Sequence, residues 1–155
     1  MPNQKTLFPL FIDLSGKKVL IIGGGNVAER RVKTLVSFGA DITVISPIIT
    51  EYIEHASVSN LIHLLRWHYE DGDIAAINPF LVIAATNDRQ VNHNIMTEAK
   101  KLNIHISVAD RRDDSTFNFP AIAENENYIA GLISKNGDHA GVKQMAQKLR
   151  GVINR

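Results

Sequence analysis

Three observations in the sequence predict an α/β fold: a doubly wound parallel sheet followed by a small β-hairpin-plus-helix extension. First, short apolar runs alternate with helical patterns from Lys18 to Val108. Such alternation gives a parallel sheet with helices on both faces. Second, the run Val19-Leu20-Ile21-Ile22 leads into Gly23-Gly24-Gly25, and a helical segment starts at Asn26. The spacing G-x-G-x-x-A, with Gly23, Gly25 and Ala28 at the marked positions, is that of a Rossmann-type strand–turn–helix. Third, the alternation stops after Ala109, where a charged loop, two short strand patterns and a last helical pattern follow. The predicted division is residues 1–112 for the Rossmann-type domain and residues 113–155 for the extension.

Each element follows from its own residues. Leu7 to Leu14 is an apolar lead-in, ended by Ser15-Gly16 and expected on the edge of the sheet. Lys18–Ile22 is the first strand. The first helix runs from Asn26 to about Phe38, with Val27, Val32, Leu35 and Val36 at helical spacing, and Gly39 suits its C-terminal cap. Asp41–Ser46 is a strand closed by Pro47. Thr50 caps a short helix to about Ser57, Leu61–Trp67 is a third strand, and Asp71–Ile77 is a weak helical turn. Phe80–Ala84 reads as a buried strand of β-branched and aromatic type. Asn87 or Asp88 caps a helix ending near Leu102, and Ile104–Val108 is the fifth strand. Beyond the charged loop 110–114, Thr116–Ala123 and Asn127–Ser134 read as strands joined at Glu124-Asn125-Glu126. A final helix spans about His139 to Arg150.

Composition narrows the function classes. The 155 residues are 45% hydrophobic and 21% charged, ordinary values for a globular chain with a real core. A net charge of +1 provides no field to recruit nucleic acid or a membrane surface. The chain has no cysteine, which excludes disulfides, thiolate metal sites and a cysteine nucleophile. The histidines at 55, 63, 68, 93, 105 and 139 form no metal-ligand spacing, so no protein metal site is expected; His63 and His105 fall in strand patterns as packed or partly buried residues. No apolar run approaches the roughly 18 residues of a membrane span. The N-terminal stretch lacks the basic-then-apolar layout of a secretion signal, and a cytoplasmic location is expected.

The glycine turn gives the first chemical reading. Gly23 permits a backbone angle that a side chain forbids, Gly25 leaves room for a pyrophosphate, and Ala28 lets helix and strand pack closely. The helix N-terminus offers unpaired N–H groups and the positive end of its dipole to phosphates. The end of the second strand, where an acid often holds the ribose, is Ser46-Pro47: either a hydroxyl for the ribose or a plain strand-ending turn. After the fourth strand, small Ala84 and Ala85 permit close approach of a ribose or nicotinamide, and Thr86 adds a hydroxyl. Asp110 ends the fifth strand, on the side where ligands of such sheets lie. It is either a general base or an ordinary loop aspartate, with Arg111 beside it opposing. Arg111 and Arg112 are either partners for substrate carboxylates or a solvated charge run. Ser134-Lys135-Asn136-Gly137 is a turn by composition whose N–H groups, Ser134 and Lys135 offer a hold for an anionic group.

Taken together, GGGNVAERR at 23–31, ITVISP at 42–47, AATNDRQVN at 84–92, SVADRRDDSTFNFPA at 107–121 and ISKNG at 133–137 resemble the NAD-dependent precorrin-2 dehydrogenase module of siroheme synthases, over about Leu7 to Arg150. The resemblance implies oxidation of precorrin-2, a tetrapyrrole with several carboxylates, to sirohydrochlorin by NAD; in some members insertion of Fe²⁺ follows. It implies that Asp110 matches the family's essential aspartate, a base for dehydrogenation that is implicated in chelation where that occurs. Asn26 and Val27, then Pro47 and Ile48, match cofactor contacts, and Ala85 and Thr86 flank the nicotinamide end. Ser134 matches a serine near the tetrapyrrole pocket that is phosphorylated in some relatives. A homodimer built partly through the extension is also implied. The sequence departs from the family at His139-Ala140, where Ser-Pro is common, in the Ser-Thr-Phe-Asn-Phe stretch, and in ending at Arg155 before a helical region that helps cover the tetrapyrrole. The alternatives to a stand-alone dehydrogenase are a bifunctional dehydrogenase and ferrochelatase, or a non-catalytic NAD-binding module.

Overall fold

The computed structural model of the chain describes residues 6–154, which fall into two compact units. One is Asp13–Phe117; the other comprises residues 6–12 and 118–154.

The first unit contains β1 (Lys18–Ile22), α1 (Asn26–Ser37), β2 (Asp41–Ile45), α2 (Glu51–Val58), β3 (His63–Leu65), α3 (Asp73–Ile77), β4 (Leu81–Ala84), α4 (Arg89–Lys101) and β5 (His105–Val108), then a 3-10 turn at Arg112–Asp114. The strands form one parallel sheet in the order β3-β2-β1-β4-β5. β1 is central, with Val19 aligned to Ile42 of β2 on one side and to Leu81 of β4 on the other. The chain therefore winds away from β1 in one direction and returns to continue in the other. The reversal leaves a crevice outside the carboxyl ends of β1 and β4, where ligands of open α/β sheets bind.

Burial explains the unbroken apolar strands. Val19–Ile22 and Leu81–Ala84 are buried throughout, as strands covered on both faces must be. α1 turns Ala28, Val32 and Leu35 inward at helical spacing. Behind it Gly39 adopts φ +68°, and its N–H returns to the Val36 carbonyl. α4 is capped by Asp88, whose carboxylate accepts from the N–H groups of Gln90 and Val91 at 2.8 and 3.1 Å. Its inward face carries Asn92, Ile95, Met96, Glu98 and Ala99.

In the second unit, β6 (Ala121–Glu124) and β7 (Ile129–Leu132) pair antiparallel, and α5 (His139–Ile153) follows. Asn125 shapes the hairpin turn by accepting from the N–H groups of Asn127 and Tyr128. It also donates from its side chain to the Ile153 carbonyl of α5. Arg150 reaches back from α5 to the Ile122 carbonyl at 2.7 Å.

Some expectations need correction. The lead-in from Leu7 is exposed coil and not a strand, with Phe8 85% exposed, and through Ile12 it groups with the second unit. The predicted strand Thr116–Ala123 is broken. The N–H of Thr116 bonds to the Ile106 carbonyl and Ser115 Oγ accepts from the N–H of Val108, so this segment belongs to β5's neighbourhood. Pro120 then removes a ladder donor before β6 starts. His63 and His105 are exposed at the first positions of β3 and β5. His63 Nε2 lies 3.4 Å from Asp41 Oδ1, and His105 Nδ1 lies 3.3 Å from Thr116 Oγ1. No helix among the described residues is long and apolar enough to cross a membrane.

Candidate functional site

The three glycines after β1 have different neighbours. At Gly23, φ is +123°, and a Cβ would lie 2.2 Å from the Ala85 carbonyl oxygen, so the end of β4 closes on the turn there. At Gly24 a Cβ would meet the Ile48 carbonyl oxygen at 2.1 Å and Ser46 Oγ at 2.7 Å. Gly25 is exposed, with an ordinary φ of −84°, and a Cβ there would touch nothing within 4 Å. Among the described residues nothing requires a glycine at position 25, and that open space is what a pyrophosphate approaching the main chain needs.

The helix behind Gly25 is equally suggestive. α2, α4 and α5 each have a side-chain cap, from Thr50, Asp88 and Asp138. α1 has none. Its first-turn N–H groups, beginning at Asn26 and Val27, are left for an anion, with the helix dipole favouring one. In the first turn, Glu29 bonds to Lys33 at 2.5 Å, and this contact, with help from Thr50, holds its carboxyl below the usual range. The residues fit a dinucleotide phosphate.

The loop after β2 is folded by its own hydrogen bonds. Ser46 is buried and its hydroxyl donates to the Ile48 carbonyl at 2.6 Å. That proton is donated within the loop, and the hydroxyl oxygen keeps acceptor capacity. Pro47 and Ile48 are exposed, and Ile48 offers an apolar surface that is 81% exposed.

At the ends of β4 and β5, Ala85 is buried and Thr86 half-buried. The Thr86 hydroxyl donates to Asn92 Oδ1 at 2.7 Å, and its N–H reaches the same oxygen at 3.2 Å. Asn92 Nδ2 donates to the Thr86 carbonyl and to Asp110 Oδ1, each at 3.1 Å. The Asp110 side chain is 37% exposed, and Arg89 Nη1 lies 3.4 Å from both of its oxygens. Arg89 Nη2 also pairs with Asp114 at 2.6 Å, which holds the Asp114 carboxyl below its usual range. The arginine meeting Asp110 therefore comes from α4; it is not the sequence neighbour Arg111.

The fold thus brings Gly23, Gly25, Asn26, Val27, Ser46, Pro47, Ile48, Ala85, Thr86 and Asp110 to the carboxyl ends of four strands of one sheet. Arg111 and Arg112 follow Asp110 directly. Ser134 and Lys135 belong to the second unit, where Ser134 Oγ accepts from the N–H groups of Asn136 and Asp138 and shapes the turn before α5. Sequence reasoning missed Gly24, Arg89 and Asn92. A signal existed for Asn92, which is a polar residue at the inward spacing shared with Ile95, Met96 and Ala99. Among the described residues no group of three or more His, Cys, Asp or Glu side chains is arranged to hold a metal.

Fold and turn define a dinucleotide-binding α/β domain, with a carboxylate beside its crevice. A family model described as NAD(P)-binding matches residues 10–121. The chain belongs to that NAD(P)-binding family. It is 51% identical over 144 residues to a multifunctional siroheme biosynthesis protein of Ruminiclostridium josui, covering 92% of this chain and 28% of that one. It is 41% identical over 130 residues to a siroheme synthase of Psychrobacter arcticus, covering 84% and 23%. The chain thus spans less than a third of the length of these relatives. Among solved structures, SirC, a precorrin-2 dehydrogenase, is similar with a TM-score of 0.75 and 25% identity, covering 94% of this chain and 71% of that one.

Proposed function

We propose that this chain is an NAD-dependent oxidoreductase that oxidises precorrin-2 to sirohydrochlorin in siroheme biosynthesis. The observation that carries this reading is the pairing of a ligand-shaped glycine turn, open at Gly25, with the Asp110 carboxylate at the end of the next strand but one. The similarity to a precorrin-2 dehydrogenase supports the choice of substrate.

Dehydrogenation takes a hydride and a proton from the macrocycle. NAD bound at the turn supplies the hydride acceptor. The chain supplies the rest. Gly23, Gly25 and the N–H groups at Asn26 and Val27 would hold the pyrophosphate, Pro47 and Ile48 the adenosine, and Ala85 and Thr86 the nicotinamide end. Asp110 receives the proton on its carboxylate, which Asn92 orients through Oδ1. Arg111 and Arg112 would pair with substrate carboxylates, and Ser134 and Lys135 are proposed as further substrate contacts. A homodimer is part of the reading, supported by the exposed apolar side chains of the second unit, among them Tyr128, Met145 and Val152. A cytoplasmic setting completes it.

The test is purified protein with precorrin-2 and NAD⁺, followed by the absorbance of sirohydrochlorin. Product should accumulate, and Asp110→Ala should lower kcat by about 10²–10⁴-fold. Protein that binds NAD⁺ yet forms no sirohydrochlorin would be a binding module only.

A further inference from the structure

We infer that Asn92 is a positioning residue for this reaction, clamping the Asp110 carboxylate to the Thr86 turn so that base and cofactor end are held in one geometry. The inference rests on the functional reading above. Asn92 is fully buried, at 0% exposure, in the second turn of α4. Its carboxamide is saturated. The oxygen accepts two bonds from Thr86, and the nitrogen gives one to the Thr86 carbonyl and one to Asp110. A carboxamide offers two donors and two acceptors, and here each meets a partner.

Other side chains do not reproduce this. Aspartate keeps the acceptors and loses both donors. Serine is too short to span from Thr86 to Asp110, and leucine fills the volume while leaving Thr86 with unmade bonds. The bond to Asp110 is also unlike the others. Asp110 is partly exposed, so water could satisfy its carboxylate without Asn92; what water cannot do is fix its direction. Arg89 does not duplicate the clamp. It lies at 3.4 Å from both oxygens, on a side chain that is 41% exposed and shared with Asp114. The carboxylate at the crevice is thus oriented by a buried donor whose other hydrogen-bonding groups are all engaged. Displacement of a reacting group by about 1 Å can lower a rate by about 100-fold.

The experiment is a double-mutant cycle on the full chain, with turnover of precorrin-2 and NAD⁺ titration as separate readouts. Asn92→Ala and Asn92→Asp should each lower kcat by about tenfold or more, with a smaller rise in the Kd for NAD⁺ because Thr86 at the nicotinamide end loses part of its support. In an Asp110→Ala background the same changes should alter the remaining rate by less than about twofold, because Asn92 acts through Asp110. Asn92→Asp retains the bonds from Thr86 and carries the test if Asn92→Ala does not fold. The inference is overturned if the folded variants turn over like wild type, if their losses multiply in the Asp110→Ala background, or if neither variant folds, which would make Asn92 a structural clamp only. Wild-type protein that never forms sirohydrochlorin overturns the functional reading, and this inference with it; active wild type beside unimpaired Asn92 variants overturns the inference alone.

Discussion

Gly23, Gly24 and Gly25 are adjacent and identical in chemistry, and the fold asks something different of each. Gly23→Ala forces a Cβ into a left-handed backbone and against Ala85, and Gly24→Ala forces one onto the Ile48 carbonyl. Each should lower stability by about 1–3 kcal/mol in urea unfolding. Gly25→Ala meets no neighbour, so unfolding should move by less than about 0.5 kcal/mol. Its Kd for NAD should nevertheless rise about tenfold or more in a titration, equivalent to at least ~1.4 kcal/mol of binding. A second residue-scale prediction concerns Asp114. Arg89 depresses its folded-state pKa, so the unfolded chain takes up the proton first as pH falls. The stabilisation is complete above the ordinary carboxylate range and is lost as pH drops through the lowered folded value. Unfolding measured from pH 7 down to acid should show this loss, and Asp114→Asn should remove that part of the slope. The roles of these side chains were only partly legible in the sequence. G-x-G-x-x-A marks Gly23 and Gly25 by spacing, whereas the contacts that confine Gly24 come from Ser46 and Ile48, residues in a loop more than twenty positions away.

At the level of elements, β1, β2, β4 and α4 were legible because local chemistry and tertiary demand agree there. Two-sided burial requires continuous apolar strands, and Asp88 stands where a cap is needed. Asp88→Ala should lower stability by about 1 kcal/mol, read as a lower midpoint in chemical denaturation with an unchanged m-value. The misread elements are those whose fate is set by distant partners. Thr116 has the composition of a strand starter, but Ile106 captures its N–H and Val108 captures the Ser115 hydroxyl. The apolar lead-in near Leu7 carries no pattern that says which unit it joins. α4 also shows a tie that no spacing announces. Glu98 is buried, accepting from the Tyr69 hydroxyl at 2.5 Å and from the Ala75 N–H of α3 at 3.1 Å. Burial and this carboxylate push the Tyr69 phenol up, well above its ordinary value. Tyr69→Phe leaves the carboxylate short of one partner and should destabilise the chain by about 1–3 kcal/mol in the same assay.

For the whole molecule, ligand and fold are linked through the first unit. The chain has one tryptophan, Trp67, and it lies in that unit. Its fluorescence therefore reports unfolding of the sheet that holds the cofactor turn. With NAD at about 100 times its Kd, the unfolding free energy followed at Trp67 should rise by about 2.7 kcal/mol. The same protocol with Gly25→Ala, at the same NAD concentration, should show a smaller rise. Family and fold were legible from short motifs, four of which stand at strand ends that the topology of the parallel sheet brings to one side, while ISKNG at 133–137 follows β7 in the second unit. The network joining Thr86, Asn92 and Asp110 was not, because it depends on the angle at which α4 crosses two strand ends. The glycine turn carries one more consequence. Packing requires glycine at positions 23 and 24, whereas a Cβ at position 25 meets no neighbour among the described residues. A lineage relieved of its cofactor would let position 25 drift first, while yield and melting behaviour stayed normal. A survey of variants by expression alone would therefore pass over a substitution at position 25 that costs the chain its hold on the dinucleotide.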